Sequence, residues 1–202
     1  PCNVIADEIL TDHPDRYRAM LIESANPVHS LADSNRMREA LRSMELVVAI
    51  DIAMTESARE ADYVLPASTQ FEKWEATFFN FEFPENYFHL RKPLFEPLGE
   101  SLSEAEIHAR LVEAAGVMPT ELVDELRGLL RDEGRAAFRE RFMQALAEDG
   151  MVAKLAPVIL YRTLGEVLPE GAKEGAVMWP LTMGFAMRDS ESLARAGYEG
   201  DP

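Results

Sequence analysis

Three short polar segments follow the three most strand-like stretches of the sequence, and they are the residues best placed to do chemistry. They are residues 24–27 (SANP), 51–55 (DIAMT) and 66–70 (PASTQ). An aspartate directly after a strand, such as Asp51, can accept two hydrogen bonds from a ribose diol or from the edge of a guanine base. Thr55 can begin a helix, whose free backbone N–H groups favour an anion. Taken singly, Asp51 and Thr55 are more simply explained as helix caps, and Asn26-Pro27 as an ordinary turn.

Other familiar sequence signatures of chemistry are absent. There is no G-x-G-x-x-G after a strand, no G-x-x-x-x-G-K-[ST], no G-x-S-x-G and no H-E-x-x-H. Cys2 is the only cysteine, so an internal disulfide, a zinc knuckle and an iron–sulfur cluster are excluded within this sequence. His29 lies beside the first polar segment and is a candidate ligand-binding residue. The alternative is a loop histidine that is hydrogen-bonded to the backbone. No protein ligand for a metal is predicted.

The elements that would position these segments alternate between strand and helix. The predicted order is strand 17–23, helix 33–43, strand 46–50, helix 55–61 and strand 63–65. Strands joined in this way pair in parallel through right-handed crossovers. Ligands of open parallel sheets bind at the carboxyl ends of the strands. The prediction is therefore an α/β fold, an open parallel-sheet, Rossmann-like segment with the three polar segments at one edge.

The second half of the sequence predicts helices. Residues 71–95 are rich in aromatic residues and are interpreted as a long ordered loop, more suited to packing than to stacking bases. The boundary is placed at residues 96–99, which divides the chain into an α/β segment, 1–100, and a helical extension, 101–202. Helices are predicted at 103–115, 119–130, 133–147 and 151–167, the last kinked by Pro157. Residues 169–202 give no clear pattern.

Composition limits the classes of partner. The chain of 202 residues has 36 acidic and 20 basic residues, and its net charge is −16. Without a basic stripe, neither nucleic acid nor an anionic membrane surface is an expected partner. No apolar run reaches the roughly 20 residues of a membrane span, and the acidic first residues do not resemble a signal peptide. A cytoplasmic location is expected. The initial proline suggests a piece of a longer chain.

Three stretches together resemble a known family. They are SANPVHSLADSNRMREAL, LVVAIDIAMTESAREADYVLPA and FEKWEATFFN, and their central pattern is D-x-x-x-T-E-[ST]-A-x-x-A-D-x-V-L-P. Residues 15–116 resemble the molybdopterin oxidoreductases of the dimethyl sulfoxide reductase family, which includes formate dehydrogenases and nitrate reductases. The family often has glycine at the first position of the Asn-Pro turn, where this sequence has Ser24.

The resemblance implies a cofactor. Members of the family bind molybdenum or tungsten through two molybdopterin guanine dinucleotides, each cradled by an α/β domain, and this segment matches one such domain. By resemblance, the turn formed by Ser24, Asn26 and Pro27, with His29 beside it, approaches the pterin dinucleotide. Asp51 then meets the guanosine end, with Thr55 next to it.

The resemblance also implies that the catalytic parts of the parent protein lie outside this chain. The metal ligand and the iron–sulfur cluster lie upstream in the family, so this chain is expected to be a fragment that holds cofactor but is inactive alone. Its partners would be the remaining domains of the parent, and exposed apolar surface could support a homo-oligomer. Two alternatives stay open. One is a non-catalytic relative, like the large iron–sulfur subunit of respiratory NADH dehydrogenase, which keeps the fold without the cofactor. The other is a structural module whose helical half docks a partner.

Overall fold

The computed structural model describes residues 2–77, 89–169 and 172–197. Its strands are β1 (Ala19–Glu23), β2 (Leu46–Asp51), β3 (Tyr63–Pro66), β4 (Glu75–Thr77) and β5 (His89–Arg91). Its α-helices are α1 (Ile5–Leu10), α2 (Pro27–Ser30), α3 (Ser34–Arg42), α4 (Glu104–Ala114), α5 (Thr120–Asp132), α6 (Arg135–Glu148), α7 (Gly150–Arg162), α8 (Met178–Arg188) and α9 (Ser190–Arg195). Short 3₁₀ turns occur at Cys2–Val4, Ala58–Glu60, Leu164–Val167 and Lys173–Val177.

The first three strands form one parallel sheet in the order β1-β2-β3. The β2 sequence, LVVAID, is apolar on both faces until its last residue, as expected for the middle strand of a parallel sheet. The predicted α/β fold with a parallel sheet is confirmed. Because the three strands run in the same direction, their carboxyl ends lie along one edge of the sheet.

The links between the strands differ from the predicted ones. The stretch predicted as helix 55–61 contains only a 3₁₀ turn at Ala58–Glu60. The chain between β2 and β3 is short for a parallel crossover, so it has room for little more than one turn. Four of the described α-helices were not predicted: α8 and α9, in the stretch 169–202 that gave no clear pattern, and the first two, α1 and α2. Both are too short to show a clear helical period in the sequence.

One face of the sheet is covered by helices. Helix α3 begins at the cap Asp33, whose side chain accepts a hydrogen bond from the Arg36 N–H at 3.0 Å. Its apolar side packs with α1 and with β1 and β2, in a cluster that buries Ile9, Ile22, Val28, Met37, Ala40, Leu41 and Val47. This core holds β1 and β2 in register and thereby positions the loops that follow them.

The described part of the chain divides into two compact units, each made of two segments, and the last boundary between them falls within α4. The first unit is Pro1–Lys73 with Leu94–Ile107, and the second is Trp74–Pro93 with His108–Pro202. The predicted domains, 1–100 and 101–202, stay a prediction, because the units report internal packing and not independent folding. Every helix in the part of the chain that the structure describes is too short or too polar to span a membrane.

The second unit contains a helical core. Phe138 and Phe142 on α6 are stacked with ring centroids 5.7 Å apart, and Trp179 lies against both rings. Helix α7 ends at Arg162, short of the predicted residue 167, because Thr163 leaves the helical region of backbone angles. Of the predicted aromatic loop, 71–95, residues 78–88 lie outside the described residues, and the described flanks contain the short strands β4 and β5.

Candidate functional site

Two loops at the carboxyl edge of the sheet carry the predicted site residues. We call residues 24–27 the β1 loop and residues 51–57 the β2 loop. The register pairs Glu23 with Ile50, and the Ser24 N–H donates to the Ile50 carbonyl oxygen at 3.0 Å. On the other side, the Ala67 N–H donates to the Asp51 carbonyl oxygen at 3.1 Å. The loops therefore leave the sheet at the same level and are neighbours.

Ser24 has a left-handed backbone conformation, with φ at +49°. This conformation is unfavourable for residues with a Cβ atom and costs glycine little. This preference is the physical reason why glycine, which the resembled family often has at this position, suits the turn. Ser24 is exposed at the point where the chain turns from β1 towards α2.

The side chain of Asn26 is bound by the β2 loop. Its Oδ1 accepts hydrogen bonds from the Ser57 hydroxyl at 2.8 Å and from the Ser57 N–H at 3.2 Å. Its Nδ2 donates to Oε2 of Glu56 at 2.7 Å. Ser57 Oγ in turn accepts from the Val28 N–H at 3.0 Å. We call this set of hydrogen bonds among Asn26, Val28, Glu56 and Ser57 the Asn26 clamp.

The clamp changes the electrostatics of Glu56. The hydrogen bond from Asn26 is the largest influence on this carboxyl group, and it holds its pKa below the ordinary value. A hydrogen bond from the backbone of Glu56 and the nearby charges of His29 and Arg59 lower the pKa further, while partial desolvation opposes them. Glu56 is therefore ionised at neutral pH and keeps its acceptor oxygens directed to the β1 loop.

Asp51 ends β2, the middle strand, and its side chain is half-buried. Its Oδ1 accepts a hydrogen bond from the Ala53 N–H at 3.1 Å, which fixes the carboxylate in a local turn. Among the described residues, no donor contacts its Oδ2. Asp51 therefore does not cap the segment that begins at Thr55, and one carboxylate oxygen is left for a ligand.

The remaining predicted residues have local roles. Thr55 Oγ1 accepts from the Ala58 N–H at 3.1 Å and caps the 3₁₀ turn. Pro27 is the first residue of α2, where its missing N–H costs nothing. His29 is exposed on the same helix. Whether these residues, Ser24, Asn26 and Asp51 contact a cofactor stays a prediction.

The described side chains at this edge offer hydrogen-bond acceptors to a ligand and form no cluster of metal ligands. The open Asp51 oxygen is an acceptor, and a guanine edge presents N–H donors. Within the described ranges, no group of three or more histidine, cysteine, aspartate or glutamate side chains could hold a metal ion. Cys2, exposed in the first 3₁₀ turn, has no such neighbours.

Sequence reasoning missed Glu56 and Ser57 as members of the site. Both lie in the quoted T-E-[ST]-A pattern, which was the available signal. Two other acids of the matching stretch serve the backbone: Asp62 Oδ2 accepts from the Val47 N–H at 2.7 Å, and Glu72 accepts from the N–H groups of Thr69 and Leu98 at 2.8 and 2.9 Å. Part of the pattern therefore maintains the fold.

Comparison with known proteins gives a consistent result. The family model described as molybdopterin oxidoreductase matches residues 10–114. The probable oxidoreductase YoaE of Bacillus subtilis is 35% identical over 122 residues, which are 60% of this chain and 17% of the relative. The trimethylamine-N-oxide reductase of Vibrio vulnificus is 34% identical over 103 residues, 51% of this chain and 12% of the relative.

A solved structure shares the fold. Acetylene hydratase from Pelobacter acetylenicus aligns with a TM-score of 0.50 and 24% identity, over 57% of this chain and 16% of that chain. The probable oxidoreductase YyaE of Bacillus subtilis is 32% identical over 111 residues, 55% of this chain and 16% of the relative. The matched part of this chain thus corresponds to less than a fifth of each relative.

Proposed function

Because the chain belongs to the molybdopterin oxidoreductase family, we propose that its α/β unit binds one guanine dinucleotide of a molybdopterin cofactor at the carboxyl edge of the sheet. The observation that carries this proposal is the Asp51 carboxylate, half-buried at the end of the middle strand, whose Oδ2 has no hydrogen-bond donor among the described residues. The family resemblance in the sequence is confirmed by the family model, which supports the choice of ligand.

Asp51 would select guanine over other bases. The guanine edge offers two adjacent N–H donors to a carboxylate, whereas adenine offers one donor beside an acceptor. Oδ1 is already oriented by the Ala53 N–H and has a second lone pair, so both oxygens can accept from the base. Hydrogen bonds to a charged group are worth about 1.5–3 kcal/mol, which corresponds to roughly 10- to 150-fold in affinity.

The parent protein would be an oxidoreductase. When bound, the cofactor supplies two-electron chemistry at molybdenum or tungsten, such as transfer of an oxygen atom or of a hydride. This chain's residues would hold and orient the dinucleotide and provide no catalytic group. We propose that the metal ligand and any iron–sulfur cluster belong to other domains of a longer parent, and that those domains are the partners of this chain. The isolated chain would then be inactive.

Titration calorimetry of the 202-residue chain with GDP and with ADP tests the proposal. GDP contains the guanosine diphosphate portion of the cofactor without the pterin or the metal. We expect GDP to bind, and ADP to bind at least about tenfold more weakly because it cannot satisfy the carboxylate. Equal affinities would contradict the role of Asp51. Binding of neither nucleotide would favour a relative that keeps the fold without the cofactor.

A further inference from the structure

We propose that Ser57 is a positioning residue, which acts through Asn26 to hold the β1 and β2 loops in one fixed arrangement at the carboxyl edge. Neither the sequence pattern nor the comparisons assign it a role. The consequence for ligand binding rests on the proposed function, since the loops that it fixes are those of the proposed nucleotide site.

Ser57 is fully buried although it is polar. Its hydroxyl and its backbone N–H are both hydrogen-bonded. The hydroxyl donates to Asn26 Oδ1 at 2.8 Å and accepts from the Val28 N–H at 3.0 Å, and the Ser57 backbone N–H also donates to Asn26 Oδ1, at 3.2 Å. A buried polar group with every partner satisfied stabilises one specific arrangement of its neighbours.

The Val28 N–H is the donor that most needs Ser57. Helix α2 begins at Pro27, which has no N–H, so Val28 provides the first free backbone donor of the helix. Val28 itself is buried, with 1% of its surface exposed. Without the Ser57 hydroxyl, this N–H would lose its partner, and α2 would keep only the bonds that Asn26 makes with the Ser57 N–H and with Glu56.

Glu56 fixes the other end of the Asn26 amide. Because Oδ1 is bound by Ser57 and Nδ2 by Glu56, the amide has one preferred orientation. An aspartate in place of Asn26 would lose the donor to Glu56 and would set two carboxylates side by side. The clamp therefore requires an amide at position 26 and a hydroxyl at position 57.

The clamp should control affinity without contacting the ligand. Asp51 opens the β2 loop and Ser57 closes it, so the position of the loop that carries the proposed guanine contact depends on Ser57. Loss of the clamp would leave the Asp51 side chain chemically unchanged but would let the two loops separate. Weaker binding with locally increased loop motion is the expected result.

Hydrogen exchange of the full 202-residue chain, with Ser57→Ala and Ser57→Thr compared with the wild type, tests this proposal. Ser57→Ala removes the hydroxyl, and Ser57→Thr keeps it. In Ser57→Ala we expect exchange in residues 24–30 and 51–57 to accelerate about tenfold or more, since a lost buried hydrogen bond corresponds to that ratio. Exchange of the buried Leu126 in α5 and Phe142 in α6, which belong to a separate core, should not change. The affinity for GDP should fall about tenfold and return in Ser57→Thr.

Two outcomes would overturn the proposal. One is unchanged exchange in both loops of Ser57→Ala, and the other is an equal acceleration in α5 and α6, which would mean general destabilisation only. If Ser57→Ala does not fold, Glu56→Ala removes the exposed end of the clamp and should accelerate exchange in the same two segments; unchanged exchange there would also overturn it. If wild-type protein does not bind GDP, the proposed function fails, while the exchange pattern still decides whether the clamp exists.

Discussion

Asn26 and Asp51 follow neighbouring strands, yet their side chains make different kinds of bond. The Asn26 amide is engaged at both ends by the β2 loop. The Asp51 carboxylate is anchored through one oxygen and leaves the other uncontacted by the described residues. Asn26 is therefore fully engaged within the protein, whereas Asp51 has an acceptor oxygen to spare, and substitution can test the two residues separately.

Acid should weaken the Asn26 clamp through Glu56. The pKa of Glu56 is held below its ordinary value of 4.5, chiefly by the hydrogen bond from Asn26. A carboxyl group whose pKa is lowered by folding adds stability above its ordinary pKa and loses that stability as the pH falls through the lowered value. We therefore expect the free energy of unfolding to fall below about pH 4.5, measured by urea denaturation at a series of pH values.

The matched control for this prediction is Glu56→Gln. The substitution keeps an acceptor for Asn26 and cannot titrate. Glu72, whose pKa is also lowered by backbone hydrogen bonds, contributes acid sensitivity in both proteins. The difference between wild type and Glu56→Gln therefore isolates Glu56. Identical pH profiles for the two proteins would contradict the assignment.

The residue types of the site were predictable, but their bonds were not. Asp51 and Asn26 were identified because they follow strands. Glu56 and Ser57 were passed over because their partner, Asn26, is about 30 positions away in the chain. Such a contact exists only after β1 and β2 have paired, and a single sequence contains no local signal of it.

At the scale of the elements, the entry into α3 depends on one residue with two functions. Asp33 has a left-handed backbone conformation, with φ at +59°, and its side chain caps the helix through the Arg36 N–H. Asp33→Ala should lose about 1 kcal/mol for the cap and about 1–2 kcal/mol for a conformation that alanine tolerates poorly. Urea denaturation should show this loss in the free energy of unfolding.

Asp33→Asn is the control for that prediction. Asparagine keeps the oxygen acceptor and tolerates the left-handed conformation, so its effect should stay within about 0.5 kcal/mol. If Asp33→Ala were no more destabilising than Asp33→Asn, neither the cap nor the backbone conformation would matter for α3.

Elements with a clear apolar run or helical period, such as β2 and α3, were predicted well, and short helices such as α1 and α2 were missed. The apolar runs of β1, β2 and β3 and the helical period of α3 were sufficient to predict a parallel α/β fold. The two-unit division differs in kind from a simple cut in the chain, because the described residues 74–77 and 89–93 belong to the second unit and 94–107 to the first. Such an exchange of segments depends on tertiary packing, which composition does not reveal.

At the scale of the whole molecule, the net charge of −16 opposes an anionic ligand. Salt screens this long-range repulsion, with a Debye length of about 30 Å at 0.01 M and 8 Å at 0.15 M. GDP affinity should therefore rise by roughly two- to fivefold over that range. Titration calorimetry at several salt concentrations measures it. Neutral guanosine is the control and should show little dependence, whereas GDP binding that weakens with salt would indicate a local cationic site instead.

Titration of Asp51→Asn with GDP is the sharpest measure of whether the Asp51 carboxylate binds guanine. Asparagine can still accept from the Ala53 N–H, so the local turn should persist, but it cannot present two acceptors to the base. We expect Asp51→Asn to bind GDP about 10- to 150-fold more weakly than the wild type, with an unchanged free energy of unfolding. GDP affinity equal to that of the wild type would contradict it and would leave Asp51 with only its structural role in the β2 loop.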